Sequence, residues 1–254
     1  MNNIEINNLS YRIQEKQILD HINLAIQEKQ FIGILGPNGS GKTSLLKHIY
    51  RTIPVERGKA FISGRDINDL TFRESSKLLT VMKQENQIDF DYSIIEMVMM
   101  GRAPHRKFYE NDTNEDLKKV KEALEYVGLS DRMYSSFKNL SGGEKQRVLL
   151  ARSIAQDVDI FLLDEPTNNL DMYYQWSLIK LIKDLSKTII AILHEMNLSF
   201  RFCDYIYVLD DGKVHSHGAP EEVINVDMLR EVMHIDAEII ERDKYKSIIV
   251  KGAI

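Results

Sequence analysis

One short segment, GPNGSGKT, matches G-x-x-x-x-G-K-[ST] and lies between an apolar run and a helix pattern. Its glycines let several backbone N–H groups point into one concavity, and the helix N-terminus adds partial positive charge. Lys42 can reach the β- and γ-phosphates of a nucleotide, and the Thr43 hydroxyl can ligate Mg²⁺. We therefore predict a nucleotide-binding loop made of Gly36, Pro37, Asn38, Gly39, Ser40, Gly41, Lys42 and Thr43. By itself the motif predicts no more than that, because kinases, GTPases and motors share it.

Two adjacent carboxylates, Asp164 and Glu165, follow an apolar run in FLLDEP. A buried strand of this kind delivers both side chains to the end of a sheet, where α/β proteins keep their sites. We predict that Asp164 holds Mg²⁺ through water and that Glu165 polarises an attacking water as a general base. A strand that ends in two solvated acids is the alternative, and the phosphate motif on the same chain favours the catalytic interpretation.

A second candidate anion site lies between these two segments, in LSGGEKQR at residues 140–147. Ser141, Gly142 and Gly143 open a helix that continues through RVLLARSIA, which predicts a hydroxyl donor at a helix N-terminus. The spacing of Ser141 and Glu144 is also typical of a capping box. The two interpretations are compatible, because the helix needs its end satisfied in any state.

LSGGEKQR resembles the signature motif of ABC ATPases, and it stands between the glycine-rich loop and FLLDEP as that motif does. The resemblance extends over nearly the whole chain. It implies that Tyr11 stacks on adenine and that Gln84 contacts Mg²⁺ and the attacking water. It also implies that Asp171 reports one site to the other and that His194 contacts the γ-phosphate. Taken alone, a Tyr in a strand or a His at a strand end is more often structural.

The resemblance also implies the assembly in which such a chain works. Two ABC ATPase domains pack head to tail, and each ATP lies between one phosphate loop and the signature of the partner copy. The expected partners are a second copy of this chain, multi-span membrane permease subunits and, indirectly, an extracytoplasmic substrate-binding protein. The expected location is the cytoplasmic face of the cell membrane, where the permease subunits would hold the chain.

The segment MVMMGRAPH, residues 97–105, resembles a segment of importers of iron–siderophore complexes, haem and cobalamin. Asn169 stands where that group usually has His, and Ala103 stands where an aromatic residue is common. Zinc and manganese importers carry a related segment, usually without the proline of Pro104. We therefore expect import of chelated iron, with zinc, manganese or cobalamin as alternative cargoes.

Two other patterns have competing interpretations. Met97, Met99 and Met100 fit either core packing or an adaptable apolar groove for a short helix of the membrane subunit. His215 and His217 have metal-like spacing on a predicted strand, but no third ligand is near in sequence, so a zinc site is disfavoured.

Other classes of function are disfavoured. Translation factors carry two such cassettes, repair ATPases carry long coiled-coil insertions, and exporter halves usually carry membrane helices, and none of these patterns is found in the sequence. The net charge of −5 gives no basic excess for nucleic acid.

The longest uncharged apolar runs, such as Ile189–Leu193, are far shorter than the roughly 20 residues that cross a bilayer, and we expect no targeting segment. The single cysteine, Cys203, suits a reducing cytosol.

The elements that position these residues follow an α/β pattern. The N-terminus predicts strand, turn and strand, and FIGILG, DIFLLDEP, TIIAILHE and YIYVLDDG predict buried strands alternating with helices. This pattern indicates a mainly parallel sheet covered on both faces. The clearest helix starts after Thr113 and ends at Gly128, and AEIIERDKYKSIIV predicts a hairpin without an assigned function.

The pattern and the resemblance together predict a single ABC ATPase domain over residues 1–254. Its ATP-binding core, with the α/β fold of P-loop (RecA-like) NTPases and an N-terminal antiparallel β subdomain, is expected in residues 1–84 and 158–254. A helical subdomain that carries the signature motif is expected in residues 85–157.

Overall fold

The structure is a computed structural model that describes residues 2–83, 91–107, 110–242 and 245–254. Contacts between Cα atoms divide the chain into two compact units. The first unit combines Met1–Asp69 with Ser186–Ile254, and the second is Leu70–Leu185. The glycine-rich loop therefore belongs to the first unit, and both FLLDEP and the signature segment belong to the second.

The described part of the chain folds into strands, α-helices and 3₁₀ segments. The strands are β1 (Asn2–Ile13), β2 (Lys16–Gln27), β3 (Phe31–Leu35), β4 (Ala60–Ile62), β5 (Arg65–Asp66), β6 (Leu79–Met82), β7 (Ile160–Asp164), β8 (Thr188–Ile192), β9 (Tyr205–Asp210), β10 (Lys213–Gly218), β11 (Ile235–Arg242) and β12 (Tyr245–Ala253). The α-helices are α1 (Lys42–Ile49), α2 (Phe72–Ser75), α3 (Ile94–Met99), α4 (Asn114–Tyr126), α5 (Gly142–Ala155), α6 (Met172–Asp184), α7 (Met196–Phe202), α8 (Pro220–Val223) and α9 (Val226–Glu231). Single 3₁₀ segments cover Ile67–Asp69, Met100–His105, Ser130–Arg132 and Phe137–Asn139.

The first unit begins with an antiparallel sheet whose strand order is β2-β1-β4-β5. β1 and β2 pair along their length, with Tyr11 opposite Leu19. Alternate residues of β2 from Ile22 to Ile26 are buried, as expected when one face of a strand packs on a core. The predicted strand, turn and strand at the N-terminus are confirmed.

A second set of strands in the first unit is mainly parallel. β3 lies between β8 and β9 and runs parallel to both, and β10 pairs antiparallel with β9. Every residue of β3 and of β8 is buried, which is typical of parallel strands covered on both faces. β3 ends at Leu35, so the glycine-rich loop leaves the carboxyl end of a central strand, where α/β folds bind ligands.

The second unit contains the parallel pair β6 and β7, in which Leu79 lies opposite Ile160. Helices α3, α4 and α5 pack against one another. Thr113 and Asp116 form a capping box at the start of α4, and Gly128 follows its end in the left-handed conformation with a φ of 71°. The predicted helix and both its ends are confirmed, as is the α/β class with a separate N-terminal antiparallel sheet.

The C-terminal strands form the predicted hairpin. β11 and β12 pair antiparallel from Ile235 opposite Ala253 to Arg242 opposite Tyr245, and residues 243–244 lie outside the described part of the chain. Among the described residues, no helix has both the length and the apolar character needed to cross a bilayer.

Candidate nucleotide-binding site

The glycine-rich loop has a backbone shape that other residues cannot adopt without strain. Gly36 and Gly41 have φ values of 142° and 100°, in the left-handed half of the map. A Cβ on Gly36 would lie 2.0 Å from the carbonyl oxygen of Leu209, and one on Gly41 would lie 2.7 Å from that of Ile18. The two glycines are therefore required by neighbouring backbone as well as by their own conformation.

The loop contains one ammonium group, that of Lys42, and a buried hydroxyl without a hydrogen-bond partner, that of Ser40. Lys42, only 5% exposed, donates from Nζ to the carbonyl oxygens of Gly36 and Pro37 at 2.8 and 2.7 Å. The buried Oγ of Ser40 has no hydrogen-bond partner. Thr43, half-buried, occupies the first turn of α1. A helix N-terminus with an ammonium and a hydroxyl beside it fits a phosphate group, since both can donate hydrogen bonds to its oxygens.

Two more predicted residues of the first unit lie beside elements that carry the loop. The Tyr11 ring stands edge-on to His48 of α1, with ring centroids 4.8 Å apart. Burial lowers the pKa of His48, which favours its neutral ring. The N–H of Leu193 donates to the carbonyl oxygen of Ile34 at 3.3 Å, so exposed His194 leaves the sheet next to the strand that leads into the loop.

In the second unit, β7 ends at Asp164 and the chain turns sharply at Glu165. Glu165 has a φ of 52°, a left-handed conformation that costs on the order of 1–3 kcal/mol for a non-glycine residue. The Asn168 side-chain amide donates to Glu165 Oε2 at 3.1 Å and orients the carboxylate. Sequence reasoning missed Asn168, although its position three residues after an acid in a turn was a usable signal.

The signature segment forms the capping box that its spacing predicts. Ser141 precedes α5, and its Oγ accepts a hydrogen bond from the Glu144 N–H. Glu144 Oε2 in turn accepts from the N–H and the hydroxyl of Ser141, both at 2.9 Å. These bonds hold the pKa of Glu144 below its ordinary value, the backbone bond contributing most. Ser141 is nevertheless exposed, so the helix start is both capped and accessible.

Asp171 has a structural role that the sequence analysis did not assign. It precedes α6, and its Oδ1 accepts a hydrogen bond from the Tyr174 N–H at 3.1 Å, which makes Asp171 the N-cap of that helix. The signal was present, because an Asp directly before an apolar helix pattern is a preferred cap. Gln84, the remaining predicted site residue, lies outside the described residues.

The segment that resembles iron-chelate importers is fastened to the end of α5. Arg102 donates from Nη1 to the carbonyl oxygen of Ala155 at 2.7 Å, and the His105 Nε2 lies 2.7 Å from that of Gln156. These carbonyls end a helix and have no partner within it. A Cβ on Gly101 would lie 2.2 Å from the carbonyl oxygen of Arg152, in the last turn of α5. The Gly-Arg-x-Pro-His pattern thus caps the helix that the signature begins.

The structure treats differently the two patterns that had competing interpretations, the methionines at 97, 99 and 100 and the histidines at 215 and 217. Met97 is 1% exposed and belongs to the core, whereas Met100 is 40% exposed. Core packing therefore accounts for Met97 but not for Met100, whose exposure is compatible with the apolar groove. His217 contacts the Tyr205 hydroxyl through Nδ1 at 2.7 Å, and the described residues contain no group of three side chains placed to hold a metal ion.

The model of the ABC transporter family matches residues 19–168, which span the glycine-rich loop, the signature segment and FLLDEP. The petrobactin import ATP-binding protein YclP of Bacillus subtilis is 36% identical over 233 residues, covering 90% of this chain and 92% of that protein. The iron(3+)-hydroxamate import ATP-binding protein FhuC of the same organism is 31% identical over 244 residues, covering 94% and 91%. The solved ATP-binding cassette MJ0796, a dimer bound to ADP and Pi, is 29% identical with a TM-score of 0.72, covering 85% of this chain and 98% of that chain.

Proposed function

Since the chain belongs to the ABC transporter family and is an ATPase of that family, we propose that it powers the import of an iron chelate through a membrane permease. The observation that carries the proposal is the loop after β3. Gly36 and Gly41 leave no room for a Cβ, and the buried ammonium of Lys42 is held inside the loop. Such a loop binds a triphosphate through backbone N–H groups and one positive charge.

The chemistry of the proposed site comes from a few side chains. Mg²⁺ bound with the nucleotide would neutralise charge on the phosphate oxygens, and we assign Thr43, Gln84 and Asp164 to hold it. Glu165 accepts a proton from the attacking water as a general base. The amide of Asn168 keeps the Glu165 carboxylate in orientation through the bond to Oε2.

The remaining predicted residues complete the proposed roles. Tyr11 stacks on the adenine, in a position supported by its contact with His48 of α1. His194 contacts the γ-phosphate, which its place beside the strand before the loop supports. Asp171 reports the state of one site to the other.

Two copies act together in the proposed mechanism. Ser141, Gly142 and Gly143 at the start of α5 face the nucleotide bound by the partner copy. The helix N-terminus donates to it, and so does the Ser141 hydroxyl once it turns from Glu144. Release of the γ-phosphate removes the negative charge that attracted this helix terminus, and the pair opens. The dimeric MJ0796 cassette bound to ADP and Pi supports a paired arrangement.

The proposed cargo follows the relatives, which are named for import of petrobactin and of iron(3+)-hydroxamate. Membrane permease subunits would hold the chain at the cytoplasmic face, and a substrate-binding protein would deliver the chelate on the other side. Arg102 and His105 contact the backbone carbonyls of Ala155 and Gln156 at the end of α5. The segment that resembles iron-chelate importers therefore supports the helices and has no proposed contact with the cargo.

Uptake of radiolabelled ferric siderophore by cells that lack this subunit tests the proposal. We expect the unaltered chain to restore uptake and Lys42→Ala to fail while still co-purifying with the permease. Uptake that persists without the subunit would contradict the proposal that this chain powers import of ferric siderophore. Mass identification of the proteins that co-purify from membranes would show whether a permease is the partner.

A further inference from the structure

The two consecutive glycines of the signature segment have different surroundings. Both belong to the first turn of α5 and neither has a positive φ, so their own backbone does not demand glycine. A Cβ on Gly142 would meet its nearest neighbour, Leu170 Cδ2, at an ordinary 3.8 Å. A Cβ on Gly143 would lie 2.4, 2.6 and 2.8 Å from three ring atoms of Tyr174. Only the second glycine is needed to admit a neighbouring side chain.

Tyr174 is held where it meets Gly143. Its N–H donates to Oδ1 of Asp171, the N-cap of α6. The Arg147 guanidinium, one turn further along α5, lies over the Tyr174 ring at 5.9 Å and donates from Nη2 to the Ser177 hydroxyl at 3.2 Å. The first turns of α5 and α6 are therefore joined through one aromatic ring and its neighbours.

We propose that Tyr174 is a positioning residue that couples the signature segment to Asp171, and that Gly143 is a glycine in order to seat its ring. The ring fixes the start of α5, which carries Ser141, against the start of α6, which Asp171 caps. A displacement of one helix start is then passed to the other, because packed side chains are not freely compressible. The part of this proposal that concerns ATP rests on the proposed function.

Thermal unfolding without nucleotide tests the seating of the ring. Gly142→Ala should leave the midpoint unchanged or raise it by up to about 3 °C, because alanine is the better helix former. Gly143→Ala should lower the midpoint instead. In a Tyr174→Ala background, Gly143→Ala should no longer lower the midpoint, because the ring that the new Cβ meets is gone. In the matched Tyr174→Phe background, Gly143→Ala should still lower it. An equal loss in all three backgrounds would overturn the proposal.

ATP-driven dimerisation tests the coupling. Tyr174→Phe should dimerise like the unaltered chain, and Tyr174→Ala should do so several-fold more weakly while each single chain binds ATP unchanged. Adding Gly143→Ala should cost several-fold in the Phe background and clearly less in the Ala background, where the ring that the new Cβ would meet is absent. Full dimerisation of Tyr174→Ala would overturn the coupling. If the unaltered chain hydrolysed no ATP, the proposed function would fail, and the melting series would still decide why Gly143 is a glycine.

Discussion

Arg102 donates from Nε to Asp116 Oδ1 at 2.8 Å, and only 6% and 5% of the two side chains are exposed. The same guanidinium donates to the carbonyl oxygen of Ala155. The other carboxylate oxygen of Asp116 accepts from the hydroxyl and the N–H of Thr113 at 2.7 and 3.1 Å. Arg102 therefore joins the beginning of α4 to the end of α5, the helix whose other end carries the signature.

Arg102→Ala should lower the free energy of unfolding by about 3–5 kcal/mol, because it leaves the buried Asp116 carboxylate without its cation. The matched control is Arg57→Ala, since Arg57 pairs with Asp69 at the surface, where 71% and 55% of the side chains are exposed. That change should cost less than about 1 kcal/mol. Denaturant unfolding of both variants measures the difference, and equal losses would contradict a structural role for the buried pair.

The same pair predicts a pH dependence of stability. Burial alone raises the pKa of Asp116, but the hydrogen bonds from Arg102 and Thr113 outweigh it and lower the pKa from 3.8 to about 2. The folded carboxylate thus binds its proton more weakly than the unfolded one, so its contribution of about 2 kcal/mol is complete above pH 3.8 and is lost as pH falls through about 2. Asp116→Asn should lack this component when unfolding is measured from pH 5 to 2, and an identical slope in both proteins would refute the assignment.

Glu165→Gln should retain ATP and lose hydrolysis by roughly 10²–10⁴-fold, because the amide cannot accept the proton of the attacking water. The variant should accumulate as an ATP-bound dimer on size-exclusion chromatography. Glu122→Gln is a suitable control, since Glu122 lies exposed on α4, pairs with Lys118 and has no proposed role at the site. Undiminished turnover in Glu165→Gln would refute the base assignment.

Lys42→Ala should weaken the affinity of the single chain for ATP by about 10- to 100-fold, the value of a charge-assisted hydrogen bond. Equilibrium binding of a fluorescent ATP analogue measures the effect. Lys47→Ala, which changes an ammonium in the last turn of the same helix, should bind normally. Normal affinity in Lys42→Ala would count against the loop as the binding site.

Asn197→Ala should loosen the C-terminal hairpin. The Ile248 N–H donates to Asn197 Oδ1 at 2.8 Å, and the Arg201 guanidinium lies 4.2 Å from the centre of the Tyr245 ring, so α7 holds β12 at two places. A two-stranded hairpin is marginal by itself, and loss of one contact should speed hydrogen exchange at the Ile248 amide. Lys251→Ala, which removes an exposed pair with Glu238, should leave that exchange nearly unchanged.

Local spacing was enough to predict several features of the molecule. The glycine-rich loop, the helix start at Thr113, the capping box at Ser141 and the alternating strands involve residues close together in the chain. Hydrogen bonds between residues three positions apart depend mainly on residue type and order, so the sequence by itself determined them. It also determined the family, because several motifs occur in one order along one chain.

Tertiary structure alone decided the rest. The partners of Arg102 lie 14 and 53 residues away, and the ring that requires Gly143 belongs to Tyr174 on another helix. Such contacts depend on how helices pack, and no spacing rule for a single helix contains them. The left-handed turn at Glu165 is likewise imposed by its surroundings, because a glutamate has no preference for it. The sequence thus determined which groups are candidates for binding and cleaving a nucleotide, and packing decided which glycines and charges keep those groups in place.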